Sequence, residues 1–91
     1  MNIEKSLAEL GARLARAREE LRIVEEQILF QTDVLEEAKT RMLVSETPIA
    51  EKEHRIARDD LERLTRQRHR AEAQIAELRS AQDRLLDRML S

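Results

Sequence analysis

Apolar residues recur through the first half of the chain at alternating spacings of four and three residues. Eleven of the twelve positions in this repeat are apolar. Such a repeat places one apolar stripe along an α-helix, and the stripe must pack against another helix to leave water. The positions are Ile3, Leu7, Leu10, Leu14, Ala17, Leu21, Val24, Ile28, Gln31, Leu35, Ala38 and Met42.

The second half of the chain carries the same repeat, and we call the two sets of positions together the seam. Nine of its twelve positions are apolar, and His54, Arg68 and Gln82 are the polar ones. The positions are Ala50, His54, Ala57, Leu61, Leu64, Arg68, Ala71, Ile75, Leu78, Gln82, Leu85 and Met89.

The two repeats are out of phase by five residues, and the shift falls at the midpoint of the chain. Thr47 is a favoured helix N-cap, and Pro48 suits the first position of a helix, where its missing N–H would have no partner. We therefore predict one domain, with helices over 3–44 and 48–90 and a turn over 45–47. The predicted turn residues are Ser45, Glu46, Thr47 and Pro48.

An antiparallel pairing in which residue numbers sum to 92 sets every seam position against another seam position. Four of these layers match a large side chain to Ala, and no layer is Ala against Ala, which lets the layers fill without voids. The pairing also brings opposite charges together beside the seam. The predicted charge pairs are Lys39–Glu51, Arg41–Glu53 and Arg18–Glu72.

The predicted fold class is therefore all-α, an antiparallel two-helix coiled-coil hairpin. The composition is typical of a coiled coil or long helix, because 40% of the 91 residues are charged and the chain has one Gly, one Pro and one aromatic residue. Two straight chains paired antiparallel as a swapped dimer would make the same layers. Pro48 and the phase shift favour the hairpin.

Five apolar residues lie off the seam, on one shoulder of the helix pair, and we call them the apolar patch. Contiguous exposed apolar surface usually marks an interface. We expect the patch to bind either a second copy, forming a four-helix bundle, or a helix of a partner protein. The patch consists of Ile23, Phe30, Val34, Ile49 and Ile56.

The four polar seam residues Gln31, His54, Arg68 and Gln82 are expected to set the register of the helices. Arg68 needs an acidic partner, and Glu20 or Glu25 is the candidate. His54 follows Glu51 at the spacing of di-metal carboxylate bundles, but such sites need a second motif on a facing helix. We expect no metal and no cofactor. The chain has no Cys, which excludes disulfides and thiolate ligands.

The segment 55–70 is rich in arginine and includes His69, and Glu46 lies at the turn. Acidic residues interrupt the arginines, and no aromatic residue lies there to stack on bases, so a solvated face is the favoured interpretation. In hairpin shape and acidic tip the chain resembles bacterial transcription factors that insert a coiled coil into the secondary channel of RNA polymerase. A nucleic-acid- or RNA-polymerase-associated regulator is therefore the alternative function.

No catalytic constellation, glycine-rich loop or concave pocket is evident, so we expect no enzyme activity. The sequence shows no secretory leader and no stretch long and apolar enough to span a membrane, which favours a cytoplasmic location. The functional prediction is a non-enzymatic interaction module, either structural, adaptor or assembly factor, that binds itself or a partner protein through the apolar patch. No membrane or small-molecule substrate is expected.

Overall fold

The computed structural model describes residues 2–91, which form two α-helices of 43 residues each. Helix α1 spans Ile3–Ser45 and helix α2 spans Pro48–Leu90, and only Glu46 and Thr47 lie between them. The predicted all-α helical hairpin is confirmed. No helix among the described residues contains a segment apolar enough to cross a membrane.

The seam forms the inner side of the helix pair. All nine fully buried residues of the described chain are seam positions, and five of the nine are alanines. Most larger seam side chains stay half-buried, because each helix has only one neighbour to cover it. The buried residues are Leu14, Ala17, Val24, Ala38, Ala50, Ala57, Leu64, Ala71 and Leu78.

Contacts divide the described chain into two compact units. The first consists of the described residues of Met1–Arg22 together with His69–Ser91. The second is Ile23–Arg68, which contains the turn and the whole apolar patch. Each unit takes one segment from α1 and one from α2, so each depends on pairing between residues distant in sequence.

The first unit is built on a buried cluster that the predicted register places together. Its members come from both helices and belong to the predicted layers Leu14–Leu78 and Ala17–Ile75. Met89 departs from the prediction, because this seam residue is 47% exposed. It lies in the last turn of α2, where few residues remain to cover it. The cluster comprises Leu14, Ala17 and Leu78, with Leu10 and Ile75 packed against it.

The second unit shows the register of α1 against α2 through two polar contacts. Arg41 Nε lies 3.6 Å from Glu53 Oε2, which confirms that predicted charge pair. The side-chain amide of Gln31 donates a hydrogen bond of 3.0 Å to the backbone carbonyl of Ala57. The other two predicted charge pairs, Lys39–Glu51 and Arg18–Glu72, stay predictions.

Helix α1 ends where Glu46 adopts a left-handed backbone conformation, with φ of 51°. The Glu46 N–H donates to the Met42 carbonyl at 3.0 Å, the single hydrogen bond of an αL C-cap. The prediction that Ser45 belongs to the turn was wrong. Ser45 is the last residue of α1, because the backbone stays helical until the sign of φ changes at Glu46.

Thr47 caps the start of α2, as predicted. Its Oγ1 accepts a hydrogen bond of 3.2 Å from the Ala50 N–H, and its carbonyl accepts one of 3.1 Å from the Glu51 N–H. Pro48 occupies the first helical position and is therefore part of α2 rather than the turn. A left-handed residue followed directly by an N-cap reverses the chain in two residues.

Asn2 caps α1 in the same way, and the sequence analysis missed it. Its side-chain Oδ1 accepts a hydrogen bond of 3.0 Å from the Lys5 N–H, and its carbonyl accepts one of 3.1 Å from the Ser6 N–H. Asn is among the strongest N-cap residues, so its place just before the first seam position was a usable signal.

Replacing the cap Thr47→Ala should lower the free energy of unfolding by about 1 kcal/mol, because an Ala50 N–H loses its acceptor. The conservative control Thr47→Ser keeps a hydroxyl in place and should stay close to wild type. Urea denaturation followed by circular dichroism measures both. Equal stability of Thr47→Ala and wild type would show that the cap contributes nothing.

Replacing Gly11→Ala should raise the free energy of unfolding by about 0.5–1 kcal/mol, because Ala has less backbone freedom to lose on folding. An added Cβ at Gly11 would meet no atom within 4 Å, so no clash opposes the gain. The reverse change at a nearby exposed position of α1, Ala8→Gly, is the control and should cost a similar amount. A Gly11→Ala chain less stable than wild type would contradict the prediction.

Candidate protein-interaction surface

The apolar patch is largely exposed. Ile23, Phe30, Ile49 and Ile56 are all exposed, and Phe30, the one aromatic residue, is 71% exposed. Val34 was also expected on the surface, but it is half-buried. Its heptad position lies nearer the seam than those of the other four, so the facing helix covers part of it.

Two adjoining hollows lie along this side of the second unit. The larger has a volume of about 630 Å³ and lies beside Ile23 and Phe30, with Leu64 of α2 in its wall. The smaller has a volume of about 240 Å³ and lies beside Val34 and Ile56. Gln31 lines both hollows, so they lie next to each other, and we call them together the Phe30 groove.

The structure therefore brings four of the five patch residues to one groove. Ile49 lines neither hollow. It lies in the first turn of α2, one residue after Pro48, where it is exposed beside the turn. The groove depends on the pairing of α1 with α2, whereas the exposure of Ile49 depends only on its place near the end of a helix.

Two exposed leucines of α1 were missed by the sequence analysis. Leu29 is as exposed as Phe30, at 71%, and Leu43 is 63% exposed. They are fourteen residues apart at the same heptad position, on the opposite shoulder of α1 from the patch. The heptad frame could have found them, because neither residue falls on the seam or on the patch shoulder.

Four of the five charged side chains that line the Phe30 groove are paired with each other, and the fifth is Glu26. Arg41 lies against Glu53, as described above, and Arg63 Nη2 lies 3.7 Å from Asp60 Oδ1. All four side chains remain about half-exposed, so each pair adds little stability. Three acidic side chains and two arginines therefore line the groove beside its apolar residues.

A separate ion pair lies on the outer surface of the first unit. The Arg22 guanidinium donates to both carboxylate oxygens of Glu19, at 2.6 and 2.9 Å. This hydrogen bonding lowers the pKa of Glu19 below its ordinary value of 4.5. Both side chains are exposed and lie on one helix, so this pair is a local feature of α1.

The polar seam residues are all half-buried between the helices. Gln31 makes the interhelical hydrogen bond to Ala57 that register setting requires, and the register roles of His54, Arg68 and Gln82 stay predictions. Among residues 2–91 no group of three or more His, Cys, Asp or Glu side chains is arranged to hold a metal ion. The candidate site is the exposed surface around Phe30.

Replacing Gln31→Glu should lower the free energy of unfolding by about 1–3 kcal/mol at neutral pH, because a carboxylate cannot donate to the Ala57 carbonyl. The loss should shrink at acid pH, where a protonated carboxyl can donate again. The control is Gln27→Glu, the same change at an exposed groove residue, which should be nearly neutral. Equal effects of the two substitutions, measured by urea denaturation, would contradict a register role for Gln31.

No protein-family model matches the chain, and no curated protein or solved structure is significantly similar to it. The function is accordingly inferred from the surface of the hairpin itself.

Proposed function

We propose that the chain is a non-enzymatic protein–protein interaction module that self-associates through the Phe30 groove. In this role it acts as a structural, adaptor or assembly factor. One observation carries the proposal: the one aromatic side chain, Phe30, is 71% exposed at the edge of a groove that Ile23 and Leu64 also line. An aromatic ring gains more from burial at an interface than any other side chain in this chain could.

The make-up of the groove supports a protein partner. Ile23, Phe30 and Ile56 present apolar surface on two helices, and contiguous surface of this kind is typical of interfaces. Acidic side chains outnumber arginines in the groove by three to two, so a protein surface fits it better than a polyanion. A second hairpin offers such a surface, and two hairpins packed together make a coiled-coil-like four-helix bundle.

The alternative function, a regulator bound to nucleic acid or RNA polymerase, depends on the arginines of α2 or on the acidic turn. Arg58 lies 3.7 Å from Asp59, and Arg63 lies 3.7 Å from Asp60. These pairs weaken the positive field that phosphate binding needs. Binding to DNA or RNA that falls steeply as salt is added would favour the alternative over the proposed function.

Replacing Phe30→Asp should shift the protein from dimer to monomer, because the interface would bury an unpaired carboxylate. Light scattering should give twice the chain mass of 10.7 kDa for wild type and a single chain mass for the variant. Circular dichroism should show that both remain helical, since Phe30 is not part of the seam.

Leu29→Asp is the matched control for that experiment. Leu29 is as exposed as Phe30 and is its neighbour in the chain, but it lies on the opposite shoulder of α1. The control should stay dimeric. Wild type that is monomeric at every concentration, or equal effects of the two substitutions, would overturn the proposed function.

A further inference from the structure

We propose that two copies bind through the Phe30 groove with their turns at the same end, so that α1 of each subunit faces α2 of the other. This inference rests on the proposed self-association and adds the geometry of the complex. It identifies the occupant of the groove as a second copy of this chain in one orientation, and it assigns Arg41 and Glu53 as the residues that select that orientation.

A symmetric dimer uses the same surface on both subunits, related by a two-fold axis in the plane of the interface. The axis can run along the helices, which keeps both turns at one end and sets α1 against α2 of the other subunit. It can instead run across the helices, which places the turns at opposite ends and sets α1 against α1. The residues that meet differ between the two arrangements.

The contact between Arg41 and Glu53 shows which residues of α1 and α2 lie at one level in this unit. An axis along the helices preserves these levels. It therefore sets Arg41 against Glu53 of the partner subunit. Because Phe30 and Arg63 line the same hollow, it also sets Phe30 close to Arg63 of the partner subunit. Both encounters join groups that attract each other.

Opposite charges at Arg41 and Glu53 make the turn end of the groove complementary to itself. In the dimer, two arginines and two glutamates alternate, so each charge has an opposite charge on both sides. The exposed ring of Phe30 meets a guanidinium, which gives a cation–π contact as well as burial. Self-complementarity of this kind is what a two-fold interface requires.

The arrangement with opposed turns is less favourable. If it is centred between Phe30 and Val34, Arg41 lies against Ile23 of the partner subunit. A guanidinium then faces an apolar side chain, and its nearest new acidic neighbour, Glu26 of the partner subunit, lies one helical turn away rather than directly opposite. The charges of the groove therefore favour turns at the same end.

Mixing two charge-reversed chains, Arg41→Glu and Glu53→Arg, tests the orientation. Each variant dimer carries four like charges at the turn end, whereas the mixed dimer restores an opposite charge across the interface at every contact. Native mass spectrometry of the mixture should show the mixed dimer roughly tenfold or more above the statistical proportion. Circular dichroism of each variant alone checks that the hairpin remains folded.

The matched control mixes Glu19→Arg with Arg22→Glu, which reverses an exposed ion pair outside the groove. That mixture should stay statistical. If the Arg41 and Glu53 variants also form dimers in statistical proportion, the proposed orientation is overturned while self-association stands. If wild type forms no dimer in the same instrument, both the orientation and the proposed function fail.

Discussion

Burial of a single narrow seam is the interaction on which the rest of this structure depends. Each helix has one apolar stripe and one neighbouring helix, so the seam residues pack in a single row along the helix pair. Five of the nine buried residues are alanines. Small residues let the helices approach closely, and larger seam residues then pack over them from the sides. Most apolar side chains lie on the seam, and the rest of the surface is mostly charged. An exposed apolar side chain outside the seam is therefore a candidate for an interface.

The two-residue turn makes this pairing intramolecular. A left-handed Glu46 ends α1, and the Thr47 cap with Pro48 starts α2 at once. A non-glycine residue is disfavoured in that conformation, and the seam contacts on both sides hold it there. The strained backbone of Glu46 is thus maintained by packing of the two helices on either side of it.

The Phe30 groove exists because the helix pair leaves one shoulder of α1 and one of α2 adjacent but uncovered. Two helices cannot bury both the seam and the shoulders, whereas four helices can. The hairpin buries the apolar seam, and the proposed dimer would bury the apolar patch. The ion pairs Arg41–Glu53 and Arg63–Asp60 lie along this groove and remain about half-exposed.

The sequence by itself determined both helices, the position of the reversal and which stripe of each helix is buried, because heptad spacing and capping act over a few residues. It also identified Phe30 and Ile56 as lying off the seam. Only the tertiary structure decided that Ser45 stays helical, that Val34 is half-covered and that Gln31 bonds the Ala57 carbonyl. Those outcomes depend on backbone angles and on distances between helices, which no local pattern encodes.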